Sequence, residues 1–193
     1  MMILILLGPP GSGKGTQAGF IKNKLDVPHL STGDILRKSV KDATELGKMV
    51  DEIMGKGKLV PDSLVLDVIR ERILEEDCKK GFILDGYPRN LAQAESLKFV
   101  LEEINMKIDQ IIFLDVDFDV LQSRIENRAK ENNGEIRVDD TSEVLIKRLD
   151  EYRNQTAPLE NYYSNYKNFN KINGMTSISE VSMEIEKLLD KAI

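Results

Sequence analysis

The chain has 193 residues, 41% of them hydrophobic, enough for one α/β domain with a substantial core. Its formal net charge of −6 argues against a nucleic-acid or membrane-surface partner, since both need a broad basic face. A lone cysteine, Cys78, excludes an intrachain disulfide and a thiolate zinc site, and with no apolar run near the ~20 residues that span a bilayer and no basic leader, a cytoplasmic protein is expected.

Met1–Leu7 is continuously apolar and reads as a buried strand. It runs without a gap into GPPGSGKGT, Gly8–Thr16. Glycines 8, 11, 13 and 15 permit a tight wrap at positive φ, and a helix follows from Gly13 to about Leu25. Such a turn at a helix start presents backbone N–H groups to an anion. With Lys14 inside it, the natural guest is a nucleotide phosphate. The strict phosphate-loop pattern places Ser or Thr directly after the Lys, whereas here Gly15 intervenes before Thr16.

A short extended piece over Val27–Leu30 leads to STGD, where Ser31, Thr32 and Asp34 are all candidate N-caps for the next helix. From Ile35 to Met54 the pattern is helical with a break expected at Gly47, and Gly47, Gly55 and Gly57 are candidate hinges. Pro61 and Asp62 open a helix to about Glu76. Gly81–Asp85 is a short strand, Asn90–Ile104 a helix, Gln110–Val116 a buried strand and Asp119–Lys130 a helix. Glu131–Asp140 is polar and loop-like. A long helix over Ser142–Tyr166 is expected to kink near Pro158, followed by a last strand, Phe169–Ile172, and a closing helix, Ile178–Ala192. Strands alternating with helices imply an α/β fold: a five-stranded parallel sheet with helices on both faces.

Ligands of such sheets bind beyond the carboxyl ends of the strands. Gly8–Thr16, Ser31–Asp34 and Asp85–Arg89 therefore share one rim. Asp85, where its strand ends, either holds Mg²⁺, directly or through water, or caps the strand as an Asx-turn. Arg124 and Arg128 lie four apart on one helix face, and Arg137 and Arg148 flank Asp139–Asp140. With Arg37 and Arg89 these are six of nine arginines, all in or near rim segments. Each reads either as a solvated surface arginine or as a bidentate phosphate contact. Asp139 and Asp140 either steady such arginines or favour a helix dipole. His29 is the only histidine and reads as packed or surface-exposed, so histidine catalysis lacks candidates. Glycines, one Lys, several Arg and an Asp suit phosphoryl transfer, where positioning and charge stabilisation dominate.

The motifs GPPGSGKGTQA, STGDILR, GKLVPDSLV, GFILDGYPRNLAQAE, SRIENRA, RVDD and KRLDEYRNQTAPLENYY fall in the order and spacing of the adenylate kinase family, which the chain resembles over nearly its whole length. The resemblance implies a P-loop NTPase-type core over 1–30, 61–128 and 138–193, an inserted helical NMP-binding flap at 31–60 and a short lid at 129–137. It implies transfer of the terminal phosphoryl group of MgATP to AMP, giving two ADP. Gly11, Ser12, Gly13, Lys14, Gly15 and Thr16 would wrap the ATP phosphates. Arg124 would lie on the adenine of ATP and Thr176 would add a mainly backbone contact.

On the acceptor side, Arg37 and Arg89 would clamp the AMP phosphate, and Thr32, Lys58, Leu59, Val60, Gly86 and Gln93 would line the AMP pocket. Arg128, Arg137 and Arg148 would converge on the phosphates, and Asp85 would hold Mg²⁺ through water. No general base is required, because the attacking AMP phosphate is already an anion. Only eight residues, 129–136, separate Arg128 from Arg137, which matches the short-lid form without structural zinc. UMP/CMP kinases share much of this pattern but tend to have Ala at Thr32 and Asn at Gln93. A hydroxyl and a longer amide suit an adenine edge, so AMP is the expected acceptor, UMP or CMP the alternative, and a catalytically silent nucleotide-binding module a third reading. ATP, AMP and ADP are the expected partners, without nucleic acid or membrane, and the expected state is a monomer.

Overall fold

The computed structural model describes residues 1–131 and 142–192, apart from the side chains of residues 46, 126–131 and 142. Five strands, β1 (Met2–Leu7), β2 (His29–Ser31), β3 (Gly81–Asp85), β4 (Gln110–Asp115) and β5 (Phe169–Asn173), form one sheet in the order β2-β3-β1-β4-β5. All four pairings are parallel; Met2 stands opposite Gly81, and Leu4 opposite Gln110. The connections are helical: α1 (Lys14–Leu25), α2 (Thr32–Lys41), α3 (Glu45–Gly55), α4 (Asp62–Ile73), α5 (Leu91–Glu103), α6 (Phe118–Glu131), α7 (Ser142–Glu151), α8 (Pro158–Ser164) and α9 (Ile178–Ala192).

The unbroken apolar run of β1 is explained by burial on both faces. Ile3, Ile5 and Leu7 join a core with Ile69, Ile73, Leu97 and Leu159 from α4, α5 and α8. Leu4 and Leu6 join a second core with Ala18 and Ile21 of α1 and Val181, Ile185 and Leu189 of α9. The two-face parallel sheet expected from the sequence is therefore present, and all strand C-termini point to one rim.

Three local expectations are corrected. The break in the 32–55 helical stretch falls at Asp42–Thr44, where Ala43 takes φ 50° and Thr44 caps α3, and not at Gly47. Gly47 lies inside α3, packed on the backbone of Ser39. The stretch expected as one long helix with a kink near Pro158 changes pitch earlier. Tyr152–Thr156 is a π-turn, with Ala157 N–H donating to Tyr152 O at 2.8 Å, and Pro158 begins α8 where a first-turn proline lacks only a dispensable donor. The helix opened by Pro61 and Asp62 ends at Ile73, and a short 3₁₀ turn over Glu76–Lys80 follows.

Candidate active site

The Gly8–Thr16 loop leaves β1 at the rim and reverses through Gly11 and Gly13, whose φ of 82° and 96° would strain any side chain. Gly13 is the N-cap of α1 and offers no side-chain acceptor, so the first-turn N–H groups of α1 remain for an anion. Gly15 departs from the expected positive φ. It is the second residue of α1 in ordinary helical backbone, because the helix propagates from Lys14. A Cβ on Gly13 or Gly15 would meet nothing within 4 Å, so both leave open space beside the loop. Lys14 folds back over the loop, donating to Gly8 O at 2.8 Å and Pro9 O at 3.0 Å.

Asp85 ends β3 on the same rim, 9% exposed. Its Oδ2 lies 3.1 Å from His29 Nε2. Burial pushes its carboxyl up, but the His29 hydrogen bond and the charges of Lys14 and Arg89 outweigh this and hold it below the ordinary carboxylate value. The Asp85 carboxylate is therefore an ionised hard oxygen donor within the field of the phosphate loop. His29 is half-buried and serves this carboxylate, a link for which the sequence carried no signal, since 56 positions separate the two residues.

The expected acceptor-side residues gather in one cleft of about 530 Å³, counting its open mouth. Its lining includes Thr32, Arg37, Lys58, Leu59, Val60, Gly86, Arg89, Gln93 and Arg148. Gly33, Leu36, Met54 and Val65 complete it with Gly57, which the sequence offered only as a candidate hinge; the other four read there as ordinary helix or turn positions. The N-cap of α2 is Ser31, whose Oγ accepts from Asp34 N–H at 3.2 Å; Thr32, also a candidate, instead donates its hydroxyl to Gly86 O at 2.8 Å. Arg89 Nε donates to Gly86 O at 2.7 Å, and Arg37 Nη2 to Asp34 Oδ1 at 2.5 Å. Thr156, on the π-turn, donates to Arg89 O at 2.7 Å.

On the donor side α6 lies against the phosphate loop. A Cβ at Gly11 would stand 3.0 Å from Ile125 Cγ1 and 3.3 Å from Leu121 O. Arg124, on the same helix, donates to Gly174 O at 3.0 Å, which brings it to the turn that carries Thr176. Thr176 itself donates to Asn173 O at 3.2 Å. The side chain of Arg128, and Arg137, Asp139, Asp140 and the lid at 129–137 beyond Glu131, lie outside the described residues.

A parallel sheet, a glycine-lysine loop opening α1, and an arginine-lined cleft beside them define a P-loop phosphotransferase acting on small nucleotides. Comparison with known proteins narrows the class. The adenylate kinase family model matches residues 6–168. The chain is 48% identical over 191 residues to the adenylate kinase of Brucella ovis, covering 97% of this chain and 98% of that protein. The same identity and coverage hold for the adenylate kinase of Brucella abortus, and 47% identity for that of Sinorhizobium medicae, covering 97% of this chain and all of its relative. The chain belongs to the adenylate kinase family and is an enzyme, an ATP:AMP phosphotransferase that converts ATP and AMP to two ADP.

Proposed function

We propose that this cleft holds AMP and that the Gly8–Thr16 loop, with Arg124 and the Thr176 turn, holds MgATP. The observation that carries this reading is the convergence of Thr32, Arg37, Arg89, Gln93 and Arg148 on one cleft at the rim that also carries the loop. Gly11–Thr16 wrap the ATP phosphates through backbone N–H groups, and Lys14 exchanges its carbonyl partners for the transferred group. Arg37 and Arg89 clamp the AMP phosphate, and Arg148, joined by Arg128 and Arg137, neutralises charge on the phosphates. Thr32, Gly86, Gln93 and the Lys58–Val60 backbone seat the base and ribose. The reacting oxygen is already anionic, so the chain supplies position and positive charge and no base.

Asp85 fits a water-bridged Mg²⁺: it stays ionised, and Mg²⁺ keeps several waters while binding one or two carboxylates plus substrate phosphates. No cluster of three metal-ligating side chains occurs among the described residues. When bound, Mg²⁺ neutralises phosphate charge and orients the donor. We assign residues 31–60 to a flap over AMP, 129–137 to a short lid, and the rest to the core, in a monomeric cytoplasmic enzyme. Among the described residues no helix is long and apolar enough to cross a membrane.

A coupled assay with MgATP and AMP, CMP, UMP or GMP as rival acceptors tests the acceptor assignment. AMP is expected to give the highest kcat/KM, because a buried polar mismatch at Thr32 or Gln93 costs on the order of a hundredfold. A faster reaction with CMP or UMP would overturn it.

A further inference from the structure

Asp62 belongs to none of the candidate site residues. It is the first residue of α4 and lies exposed, yet its carboxylate reaches inward to the cleft wall. Oδ1 accepts from Gln93 Nε2 at 2.7 Å, and the two oxygens accept from Asn90 Nδ2 at 3.0 and 3.1 Å. On the other end of the same amide, Gln93 Oε1 accepts from Arg89 N–H at 2.7 Å. A carboxylate only accepts and a backbone N–H only donates, so this pair of anchors admits one of the two amide orientations. Gln93 is 2% exposed, and the flipped amide would press a buried donor against the Arg89 N–H. Asn90 completes the clamp: its Oδ1 accepts from Gln93 N–H at 2.8 Å while its Nδ2 holds Asp62.

We propose that Asp62 is a specificity-positioning residue that locks the Gln93 amide for a 6-aminopurine. The anchors take one N–H of Nε2 and one lone pair of Oε1, leaving one of each for the base. A 6-aminopurine offers the complement, a ring nitrogen that accepts and an amino group that donates; a 6-oxopurine offers the reverse. The proposal rests on the assignment of Gln93 to the base-reading wall.

The test measures kcat and KM for AMP and IMP under saturating MgATP, with melting temperatures alongside, for wild type, Asp62→Leu, Asp62→Asn, Gln93→Leu and the Leu/Leu double variant. Asp62→Leu is expected to raise the KM for AMP roughly fivefold, the effect of losing one ordinary hydrogen bond. Its kcat should change less than about twofold, and its preference for AMP over IMP should narrow. Asp62→Asn keeps an acceptor at Oδ1 and should restore most of the AMP KM, although it removes the same charge from the α4 N-terminus. The double variant should be no worse than Gln93→Leu alone, because Asp62 acts through that amide. An unchanged AMP KM in Asp62→Leu beside a raised one in Gln93→Leu overturns the Asp62 role alone. So does Asp62→Asn failing as badly as Asp62→Leu, or additive losses in the double variant. Gln93→Leu without effect overturns the base-reading assignment and the proposal with it.

Discussion

Gly47→Ala separates a packing glycine from a hinge. Gly47 is the third residue of α3, and its N–H donates to Thr44 Oγ1 at 2.9 Å, while Thr44 Oγ1 donates to Ser39 O at 3.1 Å. A Cβ at 47 would lie 2.0 Å from Ser39 O, 2.4 Å from Ser39 C and 2.7 Å from Val40 N. Real Cβ contacts stay above 3.0 Å, so α2 and α3 must part by about 1 Å (3.0 − 2.0). The opposing atoms are all helix backbone, which no rotamer change can relieve. Overpacking costs ~1–3 kcal/mol, and a clash with rigid backbone alone falls in the upper part of that range, ~2–3 kcal/mol; alanine recovers ~1 kcal/mol of helix propensity, leaving a net loss of about 1–2 kcal/mol. For a chain of this size that is a fall in Tm of about 2–8 °C. Where the α2–α3 pair opens locally, the loss shows as faster amide exchange over residues 32–55. The KM for AMP should rise too, since Thr32, Leu36, Arg37 and Met54 line the cleft from this pair. Calorimetry, exchange and steady-state kinetics together read the outcome. A variant with unchanged Tm and exchange but a lowered kcat would refute the packing argument and restore Gly47 as a hinge.

Lys14→Met should lower kcat by about 10²–10³-fold with the fold intact by circular dichroism, as expected for removal of a group aimed at transition-state charge; a loss under about tenfold would sink that role. The Cys78 thiol is fully buried and pushed up to about 11, first by burial. Its alkylation near pH 8 should run at least ~100-fold slower in the native than in the unfolded chain, and equal rates would contradict the burial. Asp85 has a folded pKa below its ordinary value, so its contribution to stability is present above the unfolded pKa and lost as pH falls through the folded one. The stability gap between wild type and Asp85→Asn, measured by denaturant titration, should be full near neutrality and close below about pH 4. A gap that widens on acidification would reverse the assigned sign.

The elements that the sequence located well are those whose signal is local. The apolar run of β1, the glycine-lysine loop and the start of α5 at Asn90 each state their structure within a few residues. The rim argument placed Ser31–Asp34 beside Asp85–Arg89, and the structure sets both in one cleft; Gln93, which lines the same cleft, was pointed to only by the family resemblance. The break at Asp42–Thr44 was misplaced because glycine is a strong breaker on propensity alone, whereas here its missing side chain admits a neighbouring helix. Gly15 was misjudged in the opposite sense, as a turn glycine when it is helical. Contacts that depend on tertiary approach, His29 with Asp85 and Asp62 with Gln93, had no local signal at all.

A further set of contacts converges on one short segment, Gly86–Arg89, beside these two. Thr32 holds Gly86 O from α2, Gln93 holds Arg89 N–H from α5, and Thr156 holds Arg89 O from the π-turn. A π-turn adds a residue to one helical turn, and this one carries the Thr156 hydroxyl that reaches back to β3's loop. The Gly86–Arg89 segment thus has its backbone fixed from three elements, two of them at Arg89 itself. The α2–α3 pair is pinned at its start by Thr32, and at its return Gly57 approaches α7, where a Cβ would stand 3.0 Å from Val144 O and 3.2 Å from Lys147 Cβ. Displacement of that pair must therefore break the Thr32–Gly86 bond or slide past α7, which carries Arg148. Either route alters the cleft lined by Thr32, Arg37 and Arg148 directly, so occupancy of the cleft and position of the pair are energetically linked.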